Sequence, residues 1–211
     1  FRPRVLREAL ENDAMQDTSH DFGRTIIPAL LAGGASVYAY DFSLSRVPGD
    51  EDLPPYWRDI GTVDSYWEAS MDLISVSPPL NLYNPKWSLK SLSPHLPPAK
   101  FVFADAASNR VGGATDSMIA DGCILSGGAV HRSILFPRVR VNSFARVEES
   151  VLMDGVDVGR YARLRRVIVD KGVKIPPRVE IGFDPEADRQ RFHVSEGGIV
   201  VLPKGADVPA A

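Results

Sequence analysis

The sequence predicts an α/β N-terminal part followed by a parallel β-helix, and three observations carry that reading. Residues 133–182 align with themselves in rows of 17. Ser133-Ile134-Leu135-Phe136-Pro137 lies over Ser150-Val151-Leu152-Met153-Asp154, which lies over Val167-Ile168-Val169-Asp170-Lys171. The rows end in six-residue steps between aliphatics, from Val141 to Val147, Val158 to Leu164 and Ile175 to Ile181. Upstream, residues 78–98 hold six prolines, which fix φ and lack an N–H donor, so neither a helix nor a central strand can occupy them. Short aliphatic rungs need a neighbouring coil to bury their inner face. An amphipathic helix would show apolar spacings of three and four, which the rows lack. Ordinary antiparallel strands are the alternative.

Taken in order, residues 4–12 read as a short helix with Val5, Leu6, Ala9 and Leu10 on one face. A polar loop follows to His20. Thr25 to Leu31 reads as a second short helix ended by Gly33-Gly34, and Ser36 to Phe42 as a strand. After a loop at 46–55, Thr62 is the expected N-cap of a helix running to about Ile74, with Asp64 in its first turn. Val63, Tyr66, Trp67, Ser70, Met71 and Ile74 form its expected buried stripe. The expected domains are 1–77, a connector at 78–98, and 99–211. Lys100 to Phe103 opens the second domain, and the repeat proper is expected from about Ser117, with Ile119, Ile124 and Leu125 as early rungs. Asp184 to Arg191 reads as a polar segment, Gly198 to Leu202 as a last strand capping the coil, and the final seven residues as a tail.

The bulk numbers bound the function. The 211 residues can bury a real core, and 24% charged with 44% hydrophobic residues describes a globular chain. A net charge of −3 argues against a nucleic-acid partner, although residues 132–178 carry eleven Lys or Arg against five Asp or Glu. A single cysteine, Cys123, allows no intrachain disulfide and fits a reducing, cytoplasmic setting. No apolar run approaches a membrane span, and acidic residues follow the early arginines where a signal peptide needs an apolar core. The chain starts at Phe1, so a piece of a longer protein is expected.

Two constellations can carry chemistry. Asp21-Phe22-Gly23 and Tyr56-Trp57-Arg58-Asp59 each put a carboxylate beside an aromatic ring. A carboxylate accepts sugar hydroxyls or holds Mg²⁺, and an aromatic stacks on a pyranose face. The alternative is that Trp57 is core and Asp59 pairs with Arg58. Arg163, Arg165, Arg166, Lys171, Lys174 and Arg178 form a basic cluster suited to phosphate. Its alternative is a solvated face with salt bridges to Asp154, Asp157 and Asp170. His20, His95, His131 and His193 show no metal-ligand spacing, and Arg110 to Ala114 is too short for a phosphate loop.

Ser19-His20-Asp21-Phe22-Gly23, Ile26-Ile27-Pro28, Tyr56-Trp57-Arg58-Asp59-Ile60-Gly61-Thr62 and Pro97-Pro98-Ala99-Lys100-Phe101-Val102 resemble the glucose-1-phosphate adenylyltransferase (ADP-glucose pyrophosphorylase) family of bacterial glycogen synthesis. Ser133 to Ser143, Ser195-Glu196 and Gly198-Ile199-Val200 fit it too, so the resemblance runs through the whole chain in order. It implies a Rossmann-like nucleotidyltransferase remnant followed by a left-handed β-helix of hexapeptide-like repeats. It implies ATP and α-glucose 1-phosphate as substrates, Mg²⁺ as cofactor, and ADP-glucose and pyrophosphate as products. The sugar-phosphate pocket would use Asp21, Phe22, Trp57 and Asp59, with Asp59 also on the metal. The β-helix would support a homotetramer and an allosteric site for a sugar phosphate or nucleotide, with Lys171 and Lys204 as basic contacts. The family's Gly-rich loop, its second metal aspartate and its Glu-Lys-Pro segment have no counterpart in the 211 residues. ATP is therefore expected to bind through the missing half, and this polypeptide alone to be inactive. The competing readings are a non-catalytic regulatory or assembly subunit and a hexapeptide acyltransferase with His131 as base.

Overall fold

A computed structural model describes residues 1–90 and 94–210. Residues 91–93 of the expected connector and residue 211 of the expected tail lie outside the described residues. The chain divides into two compact units, Phe1–Ser45 and Arg46–Ala211.

In the first unit, helix α1 spans Pro3–Ala14, with proline in the first turn where its missing N–H is not needed. A π-helical turn, Phe22–Ile26, runs directly into α2, Ile27–Ala32. The single helix expected from Thr25 is thus two joined pieces. Asp21 starts the first by accepting the Arg24 N–H at 2.7 Å. The strand expected at Ser36–Phe42 is absent. Residues 35–41 are irregular, Tyr38 and Tyr40 are 88% and 74% exposed, and a 3₁₀ turn occupies Phe42–Leu44. Alternation alone cannot make a strand. The backbone N–H and C=O groups need a partner, and no described strand lies beside this segment.

In the second unit, helix α3 spans Val63–Leu73. Thr62 is its N-cap, as expected, and Thr62 and Ser65 form a reciprocal capping box. The strands of this unit form a solenoid of three sheets. The first holds Lys100–Val102, Ile124–Ser126, Arg140–Val141, Asp157–Val158 and Lys174–Ile175. The second holds Gly113–Thr115, Ala129–His131, Arg146–Glu148, Arg163–Arg165 and Glu180–Ile181. The third holds Met118–Ile119, Ile134–Leu135, Val151–Leu152, Val167–Val169 and Val200–Leu202. All neighbours within each sheet pair in parallel except His193–Val194, which runs antiparallel to the last strand. The antiparallel alternative is thereby excluded, and the coil starts earlier than Ser117, at the first two strands of sheets one and two.

The 17-residue rows are the coils. Ile134 pairs with Val151 and Val151 with Ile168. Inward residues stack rung on rung: Leu125, Val141, Val158 and Ile175 on the first sheet, and Val130, Val147, Leu164 and Ile181 on the second. Leu135, Leu152, Val169 and Leu202 complete the third side of one buried core. Fully burying each such side chain contributes about 1.5–3 kcal/mol.

One corner is wired by serine. Ser117 Oγ accepts the Ser133 N–H, Ser133 Oγ the Ser150 N–H, and Ser150 Oγ the Val167 N–H, each at 3.0–3.1 Å. Left-handed residues turn this corner and the others: Arg132, Glu149 and Arg166 align beside the serines, Arg138, Gly155 and Gly172 at a second corner, Phe144, Tyr161 and Arg178 at a third. Gly182, at φ 87°, cannot be replaced quietly, because a Cβ there would lie 1.7 Å from the Arg165 carbonyl oxygen. The segment expected to be merely polar after it is helix α4, Pro185–Arg191, started by Asp184, which accepts the Glu186 and Ala187 N–H groups.

Helix α3 covers the outer face of the third sheet. Its Val63, Tyr66, Trp67, Met71 and Ile74 pack with Ile134, Val151, Ile168 and Ile199, so the expected stripe is the one buried. Three polar contacts hold it there. Trp67 Nε1–H donates to the Glu149 carbonyl at 2.7 Å. The Asp64 carboxylate accepts the Ser195 hydroxyl at 2.5 Å and the Gly197 N–H at 3.2 Å.

Candidate functional site

The two sugar-phosphate candidates share one local design. Asp21 Oδ1 accepts the Arg24 N–H at 2.7 Å, and Asp59 Oδ1 accepts the Gly61 N–H at 3.0 Å. Each carboxylate folds over the glycine two residues on. A Cβ at Gly23 would lie 3.3 Å from Asp21 Oδ1, and one at Gly61 3.2 Å from Asp59 Oδ1. The Asp-x-Gly spacing therefore lets a short turn orient the acid (an Asx-type bond to its own backbone) while the second oxygen stays uncommitted. Among the described residues, neither Asp21 Oδ2 nor Asp59 Oδ2 takes a hydrogen bond.

Aromatic surface accompanies each acid. Phe22 is 45% exposed and tilts against Phe1, ring centroids 5.7 Å apart. Trp57 is 74% exposed, so the reading of Trp57 as core is wrong. The pairing of Asp59 with Arg58 is wrong too: Arg58 donates to Glu68 and Asp72 of α3, both at 2.8 Å. Asp21 and Phe22 lie in the first compact unit, Trp57 and Asp59 in the second.

No three of His, Cys, Asp and Glu gather as a metal cluster among the described residues. Mg²⁺ does not require one, since it keeps several waters and takes one or two carboxylates plus substrate phosphates. Asp59, with one oxygen uncommitted in an exposed loop, fits that donor set.

The structure brings Lys171 and Lys204 to one carboxylate. Asp170 Oδ1 accepts the Lys171 N–H at 2.6 Å and Asp170 Oδ2 the Lys204 N–H at 3.2 Å, and both lysine side chains are exposed. Asp170 thus ties backbone rather than pairing with a basic side chain. Asp157 accepts from Asn142 at 2.7 Å, and among the described residues Asp154 alone of the three aspartates makes a salt bridge, with Arg138. Within the basic cluster, Arg163 bonds Glu180 at 2.8 Å and lies over Phe183, Arg166 lies over Trp67, and Arg178 over Tyr161. His131 Nδ1 lies 2.9 Å from Thr115 Oγ1 and 3.8 Å from Asp116, an exposed pairing.

Sequence reasoning gave Asp64 only a first-turn role. Its partners lie 131 and 133 residues away, and no local pattern announces them. Asn84, buried at 4% exposure, was missed as well. It donates to the Pro48 carbonyl at 2.8 Å and to Asp50 at 2.6 Å, closing the loop that precedes Trp57.

Comparison with known proteins identifies the family. A family model described as "GlmU-like, C-terminal hexapeptide" matches residues 97–202, and one described as "Nucleotidyl transferase" matches residues 1–76. Among curated relatives, the glucose-1-phosphate adenylyltransferase of Thermus thermophilus is 55% identical over 207 residues, covering 97% of this chain and 50% of its own length. Those of Deinococcus radiodurans and Anaeromyxobacter sp. are 50% and 45% identical, again over 97% of this chain and 50% of their own length. This chain belongs to the glucose-1-phosphate adenylyltransferase family. It spans about half the length of the curated relatives it matches. The hexapeptide match makes the solenoid a left-handed β-helix of the kind this adenylyltransferase family resemblance implied. No helix among the described residues is long and apolar enough to cross a membrane.

Proposed function

We propose that the chain is the sugar-phosphate and β-helix half of an enzyme that joins ATP and α-D-glucose 1-phosphate to give ADP-glucose and diphosphate in glycogen biosynthesis. The observation that carries the reading is the pair of Asp-x-Gly turns, each presenting a carboxylate with an uncommitted oxygen beside an exposed ring. In each motif by itself, the acid (Asp21 or Asp59) is suited to accept a sugar hydroxyl and the ring (Phe22 or Trp57) to stack on an apolar sugar face. The sugar phosphate attacks the α-phosphorus of ATP and diphosphate leaves, so positioning and charge neutralisation dominate the chemistry. Asp59 would hold Mg²⁺, which when bound would supply part of that neutralisation. Lys171 and Lys204, arranged around Asp170, are the basic contacts for a sugar-phosphate or nucleotide effector, and the β-helix supports a homotetramer. Residues 78–98 connect the two functional parts.

Three measurements test this. ADP-glucose synthesis is expected from the full-length enzyme and not from these 211 residues alone; turnover by the 211-residue polypeptide overturns the half-site reading. Calorimetric titration of the polypeptide with glucose 1-phosphate should show weak binding that Asp59→Ala abolishes. Titration with fructose 1,6-bisphosphate should show binding that Lys171→Ala weakens. Sugar-phosphate binding indifferent to Asp59→Ala would sink the assignment of that residue.

A further inference from the structure

Trp57 and Asp59 lie in a stretch without regular structure, from Ser45 to Gly61. No helix or strand ladder fixes their positions, so side-chain anchors must. Upstream, Asn84 gathers the Pro48 carbonyl and the Asp50 carboxylate, while its Oδ1 accepts the Lys86 N–H at 2.9 Å. Downstream the anchor is Arg58, the residue between the two site residues. Its Nη1 reaches Asp72 and its Nη2 reaches Glu68, each at 2.8 Å. Glu68 and Asp72 stand one helical turn apart on α3, a spacing that places both on one face. The planar guanidinium fork can hold both acids at once, which a lysine ammonium on a flexible stem does far less rigidly.

Helix α3 is itself fastened to the β-helix through Trp67, Asp64 and the Arg166 guanidinium, 4.6 Å from the Trp67 ring centroid. A continuous path of named contacts therefore runs from the coil corner at Glu149 and the loop at Ser195–Gly197 to the backbone between Trp57 and Asp59. Exposed ion pairs contribute little to folding stability. The clamp is thus free to be lost without loss of the fold, and its consequence lies in where it holds the loop.

We propose that Arg58 is a positioning residue, which with Glu68 and Asp72 registers the Trp57–Asp59 loop to α3 and so to the β-helix. The proposal rests on the reading that Trp57 and Asp59 hold glucose 1-phosphate. Arg58 touches no substrate; it acts through its neighbours. Displacements of about 1 Å in a positioning element can cost up to about 100-fold in rate.

The test is steady-state kinetics of the full-length enzyme carrying Arg58→Ala, Arg58→Lys or the double change Glu68→Gln/Asp72→Asn, with thermal midpoints as the folding control. The expected result is a rise of about tenfold in KM for glucose 1-phosphate in both Arg58→Ala and the double variant. The KM for ATP and the thermal midpoint should stay near those of the unsubstituted enzyme, and Arg58→Lys should fall between. A direct phosphate contact by Arg58 would raise the KM in Arg58→Ala and leave the double variant unchanged, which overturns the proposal. Unchanged sugar-phosphate KM in all three variants overturns it too, while leaving the substrate assignment intact. Failure of the unsubstituted enzyme to saturate with glucose 1-phosphate removes that assignment, and the clamp's role falls with it.

Discussion

Asp64, Asp59 and Cys123 show how differently single residues declare themselves. Asp59 was legible as a candidate because a tryptophan stands two residues before it, putting a carboxylate beside an aromatic, whereas its turn onto the Gly61 N–H was not. Asp64 was legible only as a helix-start residue, since its bonds to Ser195 and Gly197 cross most of the chain. Cys123 was legible as a lone thiol, and its burial was not. It is fully enclosed in the coil, with its sulfur 3.0 Å from the Phe136 carbonyl, and burial pushes the thiol pKa up. The thiolate is the reactive form, so enclosure and a raised pKa both make the group inert. Reaction with a disulfide reagent near neutral pH should therefore be negligible in the native protein and become complete when denaturant unfolds the coil. Rapid labelling of native protein would contradict this placement.

At the scale of elements, the repeat was readable because each coil solves the same problem with the same residue types. Aliphatics fill the inside, left-handed residues turn the corners, and serine closes one corner. The serine ladder itself escaped the sequence reading, although Ser133 and Ser150 already stood one above the other in the rows. Ser150 is fully buried, receives the Val167 N–H and donates to the Glu148 carbonyl at 2.6 Å. Ser150→Ala strands a buried donor, and the expected loss is about 1–3 kcal/mol in urea denaturation. A loss below a few tenths would show that the ladder adds nothing beyond the apolar stack. The strand expected at Ser36–Phe42 failed for the opposite reason. Alternating side chains describe a face, while a strand also requires a neighbour to bond its backbone, and no described strand provides one. Helix α3 was readable in its cap and stripe, and the surface it covers was not.

At the scale of the molecule, the described β-helix concentrates the buried core in the second unit. From Cys123 to Leu202 its inward residues form a single cluster, whereas the loops at 46–61 and 78–90 are held by a few side-chain bonds. Opening free energies follow such differences in buried contact. Hydrogen exchange should find the slowest amides at the central rungs, Val147, Val158 and Leu164, with the 46–61 loop exchanging orders of magnitude faster. Equal protection in loop and rungs would mean that the loop is anchored far more firmly than its contacts indicate.

The sequence by itself determined the repeat length, the rungs, the cap and stripe of α3, and which acids and rings stand together in the two short motifs. Each of these depends on residues within one row or one helical turn of each other, where spacing alone specifies the physics. Only the tertiary structure decided that Arg58 grips α3 rather than Asp59, that Asp64 meets Ser195, that Asp170 joins the Lys171 and Lys204 backbones, and which outer sheet α3 covers. Those pairings, the Asp170–Lys171 bond excepted, join residues 10 to 131 positions apart. Hydrogen bonds and ion pairs of similar chemistry are available to many partners, and the packing of the β-helix selects among them by bringing a particular few within reach.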